Sequence, residues 1–444
     1  MTPPDDRLAY IDQASFLSVR ATGRQQLGQL VWLYEHPVDY DALRRFHQNY
    51  GHGLVGRLIE RSALPFGRHR WVAAGGPTSE LEVAQPRPRE ELNAWMDEQA
   101  ERPIDPEFGP GWRVSVLPMT DGSTAVSAVL SHTLADGIGL LLTSAQAATG
   151  QTGDFGYPAP RSRRRRRALA ADAAQSLRDV PELGRTVVAA AKLAYKRRDD
   201  LKGGASEPAA TGTGGPDEKI VVPTAAVFVN ADEWDARAAA LGGNSYSLMA
   251  GFVSRLGIRF GRHRADGAVS LLVAMSERTE HDTRANAVSL ATVVVDPEPV
   301  TEDLSAVRAA MKQGLQNLKD TPDETFALLP LTPLVPKRAV QRTAGVMFGD
   351  LPVSCSNVGP LDPRVNRPDG TDAEYLLLRP VDQGVTRHEL ERVGGHLVVA
   401  SGRLNGTVSI GIVGYRLEGP NTLGALRETA AEVLAEFGLT GTII

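Results

Sequence analysis

At 444 residues the chain exceeds the usual span of one domain, which predicts two domains or two halves sharing an interface. Hydrophobic residues make up 42%, charged residues 23%, and the formal net charge is −5, the balance of an ordinary soluble globular protein with no global field to draw nucleic acid. The single cysteine, Cys355, excludes an intrachain disulfide and any cysteine-rich metal site and fits a reducing cytoplasm; no apolar run reaches the roughly 18 residues of a membrane span, and the acidic opening MTPPDDRLAYIDQ is unlike a secretory signal.

The segment 27–39, LGQLVWLYEHPVD, opens with strand-forming residues and stops at a proline. After it, Leu43, Phe46, Tyr50, Leu54 and Leu58 fall three or four apart, which predicts a helix with Asp39 or Asp41 as its N-cap. RHRWVAAG reads as a strand, and GWRVSVLPMTDGSTAVSAVLSH as two strands turning at Asp121 and Gly122. GIGLLLTSAQAAT then reads as a helix opening beside two glycines.

From Gly150 the composition changes. A Gly/Pro-rich stretch leads through Arg163–Arg167 into an alanine-rich helix, and LKGGASEPAATGTGGPDEK (201–219) is a low-complexity linker. Beyond it come a strand and helix in IVVPTAAVFVNADEWDARAAALGG and a long buried helix in NSYSLMAGFVSRLGIRFG. Strands SLLVAMSER and AVSLATVVVDP, the helix SAVRAAMKQGLQNLK, and a final hairpin and helix complete the chain. The expected division is a first half over 1–150, a basic helical crossover and flexible linker over 151–219, and a second half over 220–444. Both halves mix strands and helices, an α/β (α+β) chain without a repeat of fixed period.

Chemistry concentrates in SHTLADGIG, residues 131–139. His132 closes a strand that fixes its backbone, and a neutral imidazole, with an ordinary pKa near 6.5, can accept a proton from a hydroxyl or amine at about pH 7. Asp136 can face that histidine or pair with an arginine and brace the turn; the sequence leaves both open. Gly137 is expected where a Cβ would obstruct the chain, at the start of a helix whose N-terminus favours negative charge. The plainer reading is a strand end whose histidine is only hydrogen-bonded.

His132-x-x-x-Asp136-Gly137, with a strand before it and an apolar helix after it, resembles the HxxxDG signature of a large acyltransferase superfamily. That superfamily includes chloramphenicol acetyltransferase, plant alcohol acyltransferases, nonribosomal peptide condensation domains and bacterial wax ester synthase/diacylglycerol acyltransferases. Three further segments are similar to the last branch, in the same order along nearly the whole chain: LAYIDQASFL with Asp12 and Phe16, AMSERTEHDTRANAVSLATVVVD with Ser276, Arg278, Asn286 and Ser289, and SCSNVGPLD with Ser356, Asn357, Val358, Gly359 and Pro360. Ser131 stands where that branch carries a first histidine, the plant DFGWG loop has no counterpart, and Asn244-Ser245 replaces the usual Asn-Asp pair.

The resemblance implies two chloramphenicol-acetyltransferase-like halves in a V-shaped pseudo-dimer, with a central tunnel and His132 at its middle. It implies that His132 takes the acceptor's proton as the acceptor attacks a thioester, with no acyl-enzyme. It makes Asp136 structural, with Arg278 as candidate partner, and offers Asn357 or a backbone N–H near Gly137 to the oxyanion. Ser131, Arg278 and Ser356 are the candidate substrate-binding residues. No metal and no cofactor are implied beyond the acyl-CoA or acyl carrier protein thioester consumed as co-substrate.

The leading expectation is therefore a cytoplasmic acyl-CoA-dependent O-acyltransferase acting on an alcohol. The alternatives are a free-standing condensation enzyme that takes its acyl group from a carrier protein to form an amide or ester, and a catalytically silent binding relative. No G-x-S-x-G, G-x-x-x-x-G-K-[ST] or H-E-x-x-H motif occurs, and His36, His47, His52 and His388 lack metal-ligand spacing. Cys355 reads as a small buried hydrophobe rather than a nucleophile. The Arg163–Arg167 run has three readings: solvated charge, a contact for coenzyme A phosphates or acidic lipid headgroups, or a dock for an acidic carrier protein. The basic helix after it suits peripheral contact with a membrane surface.

Overall fold

The computed structural model describes residues 5–196, 218–279, 282–320, 326–335 and 352–444. The chain opens with α1 (Tyr10–Thr22), which buries Asp12 and Phe16 and ends at Gly23 in the left-handed region. Next come β1 (Gln25–Tyr34) and α2 (Tyr40–Tyr50), the latter capped by Asp39, whose carboxylate accepts the N–H groups of Asp41 and Ala42. Leu43, Phe46 and Tyr50 are buried as their spacing predicts, but the helix stops there. Gly51 and the left-handed Gly53 break it, and Leu58 lies instead in β2 (Arg57–Glu60), which pairs with β3 (Arg70–Ala73).

His69, at the entry to β3, is buried under α1. Its Nδ1 accepts the Ser62 N–H at 3.2 Å, and its ring stands edge-on to Phe16 with centroids 5.4 Å apart. Burial, reinforced by the Arg61 charge, pushes the imidazole down from 6.5 to about 4. The unfolded chain therefore binds a proton here at pH values where the folded chain does not. Stability is fully present above about pH 6.5 and declines by roughly 3 kcal/mol as the pH falls to about 4. Urea unfolding at about pH 7 and about pH 4 checks this: a His69→Gln variant should decline less, by that amount.

Short β4 (Glu82–Val83) and α3 (Leu92–Glu101) lead to β5 (Trp112–Pro118) and β6 (Thr124–Ser131), joined by the turn at Asp121 and Gly122. Every residue of β6 is buried, as befits a central strand. After it, α4 (Gly137–Thr149) leads toward α5 (Arg165–Lys196). Of the linker expected over 201–219, only Glu218 and Lys219 fall within the described residues.

The second half runs β7 (Thr224–Asn230), α6 (Ala231–Ala240), α7 (Ser245–Arg259), β8 (Val269–Ser276), β9 (Val288–Val295), α8 (Ser305–Asp320) and β10 (Val353–Pro360). It then continues through β11 (Tyr375–Gln383), α9 (Arg387–Arg392), β12 (His396–Leu404), β13 (Thr407–Tyr415), α10 (Leu423–Glu436) and β14 (Thr442–Ile443). Asn244 caps α7 in a reciprocal arrangement with Ser247.

Two sheets result. One has the order β11-β1-β6-β5-β4 and the other β14-β7-β13-β12-β10-β8-β9. The first sheet thus takes its β1 edge partner from far along the chain, with Leu30 opposite Leu378. Arg379, on that strand, is buried and donates to Gln29 at 2.6 Å and to Asp97. An apolar cluster of Val31, Leu33, Trp95, Met96, Phe228 and Leu377 packs the two sheets together. Among the described residues no helix is long and apolar enough to cross a membrane.

Candidate active site

β6 ends at Ser131, opposite Leu27 of β1, and the next residue is His132. The His132 N–H donates to the Gln26 carbonyl at 3.0 Å, and its own carbonyl accepts the Asn286 side-chain amide at 3.2 Å. The backbone is held from both sides while the side chain stays partly exposed. Thr133, Leu134, Ala135 and Asp136 are buried; exposure returns at Gly137 and Ile138. Ser131 is fully buried, with its hydroxyl 2.7 Å from that of Thr133 and 3.3 Å from Gln25 Oε1.

Asp136 braces the turn. Its Oδ1 accepts the Gly139 N–H at 2.7 Å, capping α4, and its Oδ2 accepts the Ala287 N–H and Arg278 Nη2, each at 2.8 Å. The Asp136 N–H donates to the Ala285 carbonyl at 2.8 Å. Arg278 is as buried as its partner and also donates to the carbonyls of Asp282, Arg284 and Ala285. Arg278 and the stretch from Asp282 to Ala287, in the second half, are thereby zipped to the turn after β6.

Two more groups fasten the same loop. Asp12, from α1, accepts the N–H groups of Ala285 and Asn286 and the Asn286 amide, at 2.9, 2.8 and 3.1 Å. Burial raises its carboxyl above the usual range although these donors and Arg57 pull the other way. Arg57, buried at the start of β2, donates to the Leu134 carbonyl at 3.0 Å and the Thr283 carbonyl at 2.5 Å, and its guanidinium lies 3.7 Å from the centroid of Trp71. Nothing in GRLIERS distinguishes Arg57 from a surface arginine, so its part in the loop is a product of the tertiary structure alone.

Three of the four resembling segments therefore meet at one place, and the fourth does not. Asn357 accepts the Gly359 N–H at 2.9 Å in a local turn, and its strand neighbour on β12 is Ser401; among the described residues no bond joins it to the turn after β6. Ser356, partly exposed, pairs with Ala400 on the same strands. Gly137 is not required sterically: a Cβ there would meet nothing within 4 Å. The constraint falls on Gly139, where it would come within 3.1 to 3.3 Å of Ala135, Asp136 and Leu54. Ser276 accepts the Arg278 N–H at 3.2 Å and Ser289 bonds Glu277. Cys355 is buried, which pushes its thiol up to about 12 and removes it as a nucleophile.

The register of the first sheet adds a cluster that the sequence conceals. Asp382 of β11 lies opposite Gln26 with its side chain on the same face, and the Gln26 carbonyl accepts the N–H of His132, which follows directly on β6. Asp382 meets His396 Nε2 of the other sheet at 2.7 Å. Burial alone would raise this carboxyl, but His396, Arg24 and His132 together hold it below its usual value. Behind Asn286 opens a cleft of about 750 Å³, bordered by Tyr10, Met275, Glu277, Val288 and Phe326. Among the described residues no group of three or more His, Cys, Asp or Glu side chains could hold a metal ion.

This architecture is found in solved structures. The first condensation domain of the calcium-dependent antibiotic synthetase, in complex with a substrate analogue, superposes with a TM-score of 0.59 at 13% identity, over 98% of this chain and 96% of that one. The wax ester synthase/diacylglycerol acyltransferase from Marinobacter aquaeolei VT8 gives 0.53 at 17% identity, over 97% and 98%. Polyketide synthase associated protein 5 from Mycobacterium tuberculosis gives 0.51 at 13%, over 97% of each chain. No family model matches the sequence, and no curated protein matches it. The likeness establishes the fold, the two-lobed α/β architecture of the condensation domains, in agreement with the class expected from the sequence.

Proposed function

We propose that the chain is an acyltransferase that moves an acyl group from a thioester, acyl-CoA in the first instance, to an alcohol, with His132 as general base. The observation that carries this reading is the pairing of a partly exposed histidine with a backbone clamped on both sides, beside the partly exposed start of α4. The unprotonated imidazole nitrogen takes the hydroxyl proton while the acceptor oxygen forms a bond to the thioester carbonyl carbon. The oxyanion collapses, the C–S bond breaks, and the imidazolium returns its proton to the leaving thiolate. Ester and free thiol are the products, and no acyl-enzyme forms.

The first N–H groups of a helix have no acceptor within it. Asp136 satisfies that of Gly139, which leaves those of Gly137 and Ile138 for the oxyanion; Asn357, spent on Gly359, is the weaker candidate. Asp136 and Arg278 hold the turn rather than touch the substrate, and the cleft behind Asn286 offers room for the acyl group. The test is release of free thiol from short, medium and long acyl-CoAs, and from the same acyl groups on a carrier protein, with pooled alcohols and amines. Acceptor-dependent release from acyl-CoA supports the reading; release from the carrier thioester alone moves the donor to a carrier protein. No release from either donor overturns acyl transfer.

Asp382 gives a finer prediction. A negative charge near His132 helps only once the imidazole has gained a proton, in the transition state. Asp382→Asn should lower kcat about tenfold with KM unchanged, and Asp382→Glu should recover most of the loss. Steady-state kinetics on the two variants separate this from a structural role, which would move KM or the unfolding midpoint as well.

A further inference from the structure

The crossover helix α5 is built inside out. On the side toward the body of the protein, Gln175 and Thr186 are buried, and Asp172 receives Arg163 at 2.7 Å, the Ser62 hydroxyl at 2.9 Å and the Ala63 N–H at 2.8 Å. Tyr10 donates to Glu182 at 3.3 Å on the same side. The outer side carries Leu169, Leu177, Val180, Val187, Val188 and Tyr195, all exposed, with Leu177 and Tyr195 at 72% and 77%.

At 3.6 residues per turn these six fall within an arc of about 100° and form a stripe about 39 Å long. Arg167, Arg178, Arg185 and Lys192, all exposed, run along one border of that arc, and Arg164–Arg166 stand at its start. An ordinary surface helix turns its apolar side to the core. Here the apolar side faces outward with a cationic border, in a chain whose net charge is −5.

We propose that α5 docks the protein on an anionic lipid surface, the stripe sinking to the headgroup–acyl boundary and the border pairing with lipid phosphates. A second copy fits poorly, because two such stripes laid face to face bring their cationic borders together. An acidic protein would answer the charges but leave the long convex stripe uncovered. This inference stands independently of the acyl-transfer reading.

Flotation of the full chain with phosphatidylcholine vesicles, and with vesicles containing about one third phosphatidylglycerol, tests it. The wild type should float with the anionic vesicles and stay down with the zwitterionic ones. A Leu177→Asp, Val180→Asp, Val188→Asp variant should lose at least about tenfold in bound fraction. Replacing Arg164–Arg167 with glutamine should weaken binding several-fold, and salt near 1 M, where screening acts within about 3 Å, should weaken the wild type likewise. All these positions are exposed, so the variants should keep the wild-type melting temperature, which serves as the folding control. Three results overturn the proposal: a wild type that floats with neither vesicle, variants that float like the wild type, or a lipid-free dimer that the aspartates dissolve.

Discussion

Arg278→Ala should lower the unfolding free energy by about 3 to 5 kcal/mol, the largest stability effect expected from a single side chain here. The reason is what remains behind. The Asp136 carboxylate would stay buried, still accepting the Gly139 and Ala287 N–H groups, but without the cation that balances it. The carbonyls of Asp282 and Arg284 would lose their donor at the same moment, and that of Ala285 would keep only the Asp136 N–H. Asp136→Ala should cost a similar amount by stranding the guanidinium, and should also uncap α4. The double variant should cost less than the sum of the two. A urea-unfolding cycle on wild type, both singles and the double reads the coupling directly. Single variants that unfold at the wild-type midpoint would mean that the pair does not clamp the two halves together.

His132→Ala should reduce acceptor-dependent thiol release by about 10²- to 10⁴-fold, the range expected when a positioned general base is removed. KM for the thioester should change little, because in the proposed mechanism the imidazole acts on the proton in flight rather than on the resting donor. Stability should also change little: the bonds that hold this residue run through its backbone N–H and carbonyl, which alanine keeps. A variant with normal folding and full activity would remove His132 from the chemistry. A variant inactive and unfolded would instead count it among the residues of the clamp.

Much of this was legible in the sequence, and the part that was not has a common cause. β6 and α4 announce themselves because an eight-residue apolar strand and a glycine-led apolar helix are local patterns. The pairing of Asp136 with Arg278 follows from the resemblance, and the structure places those groups 2.8 Å apart. Leu54 and Leu58 keep the helical spacing of α2, but Gly51 and Gly53 lie between and end the helix whatever lies beyond. Gly137 and Asn357 belong to the resembling motifs, yet the steric demand sits at Gly139 and the Asn357 amide is used locally. Arg57 and Asp382 carry no local mark, because an enclosed charge looks like an exposed one until partners at least 14 residues away, Trp71 and Leu134 for the first and His396 for the second, are brought to it.

The strand β11 also sets the order in which the molecule can be completed during synthesis. Residues of β1 leave the ribosome early, but the partner that covers their edge, ending at Gln383, comes more than two hundred residues after α4. At roughly 5 to 20 residues per second the nascent first sheet waits roughly ten to fifty seconds with that edge open. For that interval it is a sheet with a ready template for any passing strand, including one from a neighbouring nascent chain. Arg278 and the zipped stretch from Asp282 to Ala287 emerge before β11 does, so the turn that carries His132 can be braced while its sheet is still unfinished.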